Sequence, residues 1–335
     1  MFSDPRKAKQ TEDLAKCFDL LIDSGANPRE PLEQGDHVLL KAVRQGHEHG
    51  VEMLVQKSSQ APDKFSLSVT HELTGNNCIH EACEARQSVI LKRLLEAKAD
   101  PNAKNAKNDT PLHVLLQSSK GSIMFASGES EESVKMLELL QLFNCNLAAQ
   151  NGAGDLPLHM TTASESQFEW LLSHVESEEQ LTSTNNKKLN AIENAAVHGN
   201  IKQVSMLWPL YEKYNVPVDL SKQDEHGNSI LHVVAQSEEL GDWAQRLVSN
   251  AKCDPNCQNE LGDTSLHVAV RCDNVETVAQ LLESGASVEI VNRDDKTPVD
   301  EALEKVAVGS IYQLIKQRED CVDTERLLAV RHSSG

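Results

Sequence analysis

The feature that most constrains this chain is an interval that recurs. The segment NCIHEACEARQSVILKRLLEAKADPNAKN begins at Asn77, and DTPLHVLLQ places Thr110 at 33 residues beyond it. Near the other end DTSLHVAV and KTPVDEAL place Thr264 and Thr297 at the same interval of 33. A period this short marks a file of small helical units, because one such unit cannot bury its own apolar face and must lean on its neighbours. Weaker copies begin at His37, Leu156, Asn190 and Ser229, so eight units start near 37, 77, 110, 156, 190, 229, 264 and 297. Longer intervals locate insertions. About thirteen extra residues fall in SSKGSIMFASGESEES (118–133), read as an exposed loop between two helices from its Ser, Gly and Glu content. Smaller ones lengthen the turns around 57–77 and 211–227.

Each recurring slot has a physical use. Thr110 is suited to N-cap a helix through its hydroxyl, with Pro111 at the first helical position. Ala82, Ala195 and Ala269 keep the first helix of a unit thin enough for close approach. Leu94-Leu95, Leu139-Leu140 and Leu281-Leu282 supply an apolar stripe on the second helix. Gly25 and Gly285 fit the left-handed position that ends that helix. Asp109-Thr110, Asp263-Thr264 and His226-Gly227-Asn228 turn the chain into the next unit.

These slots resemble the ankyrin repeat, whose pattern is T-P-L-H-x-A, a Leu-Leu helix, a Gly-Ala-Asp turn and an Asn-bearing finger. The resemblance runs from about residue 12 to at least 316. It implies an all-α solenoid of helix-turn-helix units with hairpin-like fingers: an N-terminal capping half-repeat over 1–36, repeats over 37–316, and a capping helix and tail over 317–335. Units four and five (156–228) depart most. MTTASESQF replaces an apolar first helix, and Glu193 stands where the pattern has His, which suggests a softer hinge or a face altered for a partner.

Charge bounds the partners. With 32 basic and 51 acidic residues the net charge is −19, against a nucleic-acid binder and in favour of a protein partner with a basic segment. No apolar run is long enough to span a membrane, and the first residues lack a secretory pattern. Eight scattered cysteines without a C-x-x-C pair read as reduced thiols of a cytoplasmic, monomeric protein.

Groups that could carry chemistry have plainer readings. In the family, the histidine of the tetrad (His80, His113, His159, His232 and His267 here) bonds backbone near the finger and ties adjacent repeats. Cys253, Cys257, His267 and Cys272 have the superficial spacing of a zinc site, yet lie on different parts of their units, and His80-Glu81 lacks the second histidine of a zincin. No phosphate-binding or nucleophile-elbow motif occurs. Trp208, Tyr211 and Tyr214 read as packing, with an exposed anchor for a partner as the alternative, and Phe168, beside Trp170 in the second helix of unit four, reads as core. The glutamates from Glu165 to Glu179 read as a solvated face, with a surface for a basic peptide partner as the alternative. Asn102 and Asn256 follow Asp-Pro in a context resembling hydroxylated ankyrin fingers, with turn hydrogen bonding as the structural alternative.

The resemblance therefore implies a non-enzymatic adaptor or scaffold, without cofactor or metal, whose groove is lined by finger tips and first helices. Carried over by slot, the finger tips contribute Lys104, Asn105, Lys107, Asn108, Gln150, Asn151, Gln258, Asn259 and Glu260; the first helices contribute Lys41, Glu81, Met160, Asn194 and Val233. Two alternatives stand beside it. One is a pathogen effector that captures a host protein, suggested by REDCVDTERLL (318–328); the other is an enzyme with a Cys/His site in the groove.

Overall fold

The computed structural model describes residues 36–60, 66–117, 128–160, 163–237, 243–304, 311 and 313–315. The capping half-repeat with Gly25 (all but Asp36), the first ten residues of the 118–133 insertion, and the tail with 318–328 lie outside them. The chain divides into two compact units at Lys188 and Leu189.

In the first unit, helices come in pairs: α1 (Val38–Arg44) with α2 (Glu48–Gln60), and α3 (Cys78–Glu84) with α4 (Ser88–Glu96). Next come α5 (Pro111–Gln117) with α6 (Gly128–Leu142). First helices pack on first helices, α1 on α3 and α3 on α5, while α2 packs on α4 and α4 on α6. This is how units too small to fold alone share one core. The stripes follow the helical period. On α6 the buried positions are Ser133, Met136, Leu137 and Leu140, and on α4 Ile90, Leu91, Leu94 and Leu95. Leu139 is half-buried, so of the Leu139-Leu140 pair only Leu140 joins the buried stripe with Met136 and Leu137. Residues 128–133 are not loop; they open α6, where Glu131 and Glu132 suit the positive end of a helix.

The fourth repeat keeps only a 3-10 turn, Pro157–His159, in place of a first helix. It continues with α7 (Glu165–Ser173), capped by Ser164 Oγ, and a short α8 (Glu178–Thr182). Phe168 is fully buried and Trp170 nearly so, its ring stacked on His174 at 4.1 Å, while the five glutamates from Glu165 to Glu179 are exposed as expected.

In the second unit α9 (Ala191–Val197) pairs with α10 (Ile201–Lys213), α11 (Ile230–Ala235) with α12 (Trp243–Asn250), and α13 (Ser265–Arg271) with α14 (Val275–Glu283). Helix α15 (Pro298–Glu304) packs on α13, which packs on α11. Among the described residues there is no β-strand; one isolated bridge joins Thr70 and Asn77. Ala82, Ala195 and Ala269 are buried, as their slot requires.

The fingers are tight turns with a left-handed residue near each tip: Gly75, Asn108, Gly154, Lys188, Gly227, Gly262 and Asp295. Within each unit successive fingers touch through backbone: Gly152 N–H donates to Lys107 O at 2.9 Å, and Arg293 N–H to Leu261 O at 3.0 Å. The approach explains Gly262. Its φ is +76°, and a Cβ there would lie 2.7 Å from Arg293 N.

Candidate functional site

The tetrad histidines are structural ties. At Thr110, Ser229 and Thr264 the backbone N–H donates to the Nδ1 of His113, His232 and His267 at 3.1–3.3 Å, and the hydroxyl lies 2.8–2.9 Å from the same nitrogen. Nδ1 is thus an acceptor and Nε2 carries the hydrogen. Nε2 then donates across to the next finger, to Asp155 O, Asp263 O and Lys296 O, each at 3.0 Å. The hydroxyl expected to cap the helix instead fixes the tautomer of the ring that links two repeats. His80 makes the same outward bond, to Asp109 O at 2.9 Å. There the cap is Asn77, whose Oδ1 accepts from Ile79 and His80 N–H and lies 2.7 Å from His80 Nδ1.

Burial holds the imidazoles of His113, His232 and His267 below their ordinary pKa. In the unfolded chain they titrate near pH 6.5, so below that pH the unfolded state binds more protons than the folded one. Their contribution to stability is therefore complete above about pH 6.5 and falls as the pH drops toward the lowered folded values. Urea midpoints compared at about pH 7.5 and about pH 5.5 are expected to be lower at the acid pH. A midpoint that held steady or rose would contradict this assignment.

A second tie, made by finger asparagines, was not read from the sequence. Asn105 Oδ1 accepts from Lys107 and Asp109 N–H, shaping its own finger, while its Nδ2 donates to Asn76 Oδ1 of the preceding finger at 3.0 Å. Asn151 donates to Asp109, Asn185 to Asp155, Asn259 to Asn228 and Asn292 to Asp263, at 2.8–3.0 Å. The signal was present: Asn105, Asn151 and Asn259 each stand four residues before an Asp. These three are half-buried and tie successive fingers together.

Three first-helix expectations change as well. Glu81 is 3% exposed, held by Arg44 Nε at 2.9 Å and by Asn76 Nδ2 at 3.3 Å. Arg271 makes the equivalent reach, bidentate onto Glu301 at 3.1 Å, and also meets buried Asp263 at 2.7 Å. A basic residue ending one first helix thus pairs with a glutamate four residues past the cap of the next. Asn194 and Met160 are 5% and 8% exposed and so present little to solvent. Lys41, Lys104, Lys107, Asn108, Gln150, Gln258 and Glu260 are exposed, and Val233 is half-buried.

In the second unit a cleft of about 520 Å³ opens between fingers and first helices. It is lined by Leu261, Asp263, Arg271, Asn292, Arg293, Asp294, Lys296 and Glu301. Leu261, at the finger tip, is 61% exposed on its rim.

Several side chains able to act as nucleophiles or ligands are occupied or buried, while Cys272 is exposed. Burial pushes the thiols of Cys78 and Cys253 up to about 12 and that of Cys145 to about 11, and raises Cys83 further. Cys253 Sγ–H donates to Leu220 O, and both ring nitrogens of His267 are engaged as above. Among the described residues no three His, Cys, Asp or Glu side chains are grouped to hold a metal. Asn102 and Asn256 each bridge to the next turn, donating to Asn144 O and Gly285 O and accepting from Asn146 and Ser287 N–H.

The family model for ankyrin repeats matches residues 7–105, 210–292 and 231–324, well over half of the sequence. The chain belongs to the ankyrin-repeat family. Ankyrin repeats are protein-interaction modules and are typically non-catalytic. A 109-residue stretch is 31% identical to human transient receptor potential cation channel subfamily A member 1, covering 32% of this chain and 9% of that protein, so the match spans a small part of its length. The crystal structure of the ankyrin repeat domain of Bcl-3, described as a unique member of the IkappaB protein family, is 18% identical. It superimposes with a TM-score of 0.44 over 85% of this chain and all of that one. No helix among the described residues of this ankyrin chain is long and apolar enough to cross a membrane.

Proposed function

We propose that this chain is a non-enzymatic adaptor that holds a protein partner on its ankyrin groove, the face made by finger tips and first helices. The observation that carries the reading is the cleft at Leu261: an exposed apolar tip beside Arg293 and Asp294, over a floor of paired charges. An open, mixed polar and apolar surface suits an extended peptide better than a small metabolite, which prefers enclosed apolar pockets. The occupied histidines and raised thiols favour binding over catalysis. A net charge of −19 favours a partner with a basic segment, and unpaired thiols at six described cysteines suit a reducing cytoplasm.

A photo-crosslinking side chain placed at Leu261 tests this in cytosol of the source cell. The expected result is one dominant protein adduct, at least about fivefold weaker when Arg293→Glu is added and absent with the crosslinker at Lys92 on α4. Equal labelling from both positions would count against a groove-specific partner. Weaker capture at higher salt is expected of a basic segment, and salt-independent capture would remove that part of the reading.

A further inference from the structure

We propose that the joint between α9 and α11, each counted with the residues that lead into it, is an electrostatic latch, the point at which the second unit parts when ionic strength rises. The inference concerns the fold itself and does not rest on the partner reading.

Two neutral ties hold the other joints of this unit, and both are chemically impossible here. At the histidine slot stands Glu193, whose carboxylate has no hydrogen to give to the carbonyl of the next finger. At the finger-asparagine slot stands Asp224. It shapes its own finger, accepting from His226 N–H at 2.9 Å and Asn228 N–H at 2.7 Å, but it has no amide hydrogens to donate backward. The acceptor that such a donor would need is missing too: its slot, filled by Asn76, Asp109, Asp155, Asn228 or Asp263 elsewhere, is here Leu189.

Packing agrees with the chemistry. Helix α11 packs along α13, and α13 along α15, whereas α9 makes no comparable contact with α11. Val216 and Leu220 are buried, and Leu220 N–H donates to Ala251 O at 2.9 Å.

Ion pairs take over from the missing ties. Lys222 Nζ meets Glu193 Oε2 at 2.8 Å, Arg246 meets Glu212 at 2.9 Å, and Lys252 meets Asp219 at 3.3 Å. Arg246 also lies over the rings of Trp208 and Trp243, 4.8 and 5.1 Å from their centroids. Each pair is partly exposed, so salt screens it, whereas a buried neutral hydrogen bond is nearly indifferent to salt.

Hydrogen–deuterium exchange of the full chain, followed by mass spectrometry from about 0.05 M to about 1 M NaCl, tests the latch. Amides in 191–197 and 214–228 are expected to exchange about fivefold faster at high salt, those in 230–235 and 265–271 less than about twofold. The variant Glu193→His supplies a ring N–H toward the finger and removes the Lys222 ion pair, and its 214–228 segment is expected to lose part of that excess. A wild-type response no larger in 214–228 than in 265–271 overturns the latch, whatever the variant does. So does a folded Glu193→His variant that keeps the full salt response.

Discussion

His113→Ala is expected to lower stability in the first unit by about 3 kcal/mol, read from urea unfolding or from exchange of the amides around α5. The ring is fully buried, and its removal does three things at once. It opens a cavity, leaves Thr110 N–H without its Nδ1 acceptor, and leaves Asp155 O without the donor that reaches it across 42 residues of sequence. Stranding buried polar groups costs more than the mean worth of a hydrogen bond. His47→Ala, at an exposed histidine after α1, is the control, with an expected change within about 0.5 kcal/mol. Similar effects from both substitutions would mean that His113 is not a tie.

Phe168→Ala should cost about 4 kcal/mol, because it removes a fully buried ring from the core of a repeat whose first helix is only a turn. Its first helix is reduced to the turn at Pro157–His159, and Phe168 is the largest of the fully buried side chains on α7. The loss should be concentrated between about residue 156 and residue 182, where exchange protection falls before it falls in α3 or α4. Uniform loss through the first unit would show instead that this repeat is locked to its neighbours. A cost below about 1 kcal/mol would mean that the aromatic ring is not the local core.

Much of the fold was legible because a repeat states the same requirement several times. The interval of 33 residues, the thin first helices at Ala82, Ala195 and Ala269, and the histidine ties needed no tertiary information beyond the resemblance they carried. The surface was less legible. Glu81 reads as a groove residue on its own first helix, whereas the reach of Arg44 from the preceding repeat, with Asn76 beside it, holds it buried. Asn105, Asn151 and Asn259 read as finger-tip contacts because a sequence shows one finger at a time, while their second hydrogen bond goes to another finger. The first residues of α6 read as loop because Ser, Gly and Glu are also what a helix start uses.

By itself the sequence determined the unit, its period and the family, since those follow from local geometry and from apolar faces too small to stand alone. Tertiary structure alone decided which polar side chains are spent inside and which face outward. That choice depends on distances between residues about thirty apart, as when Glu193 and Asp224 withhold their donors and Lys222 answers with charge.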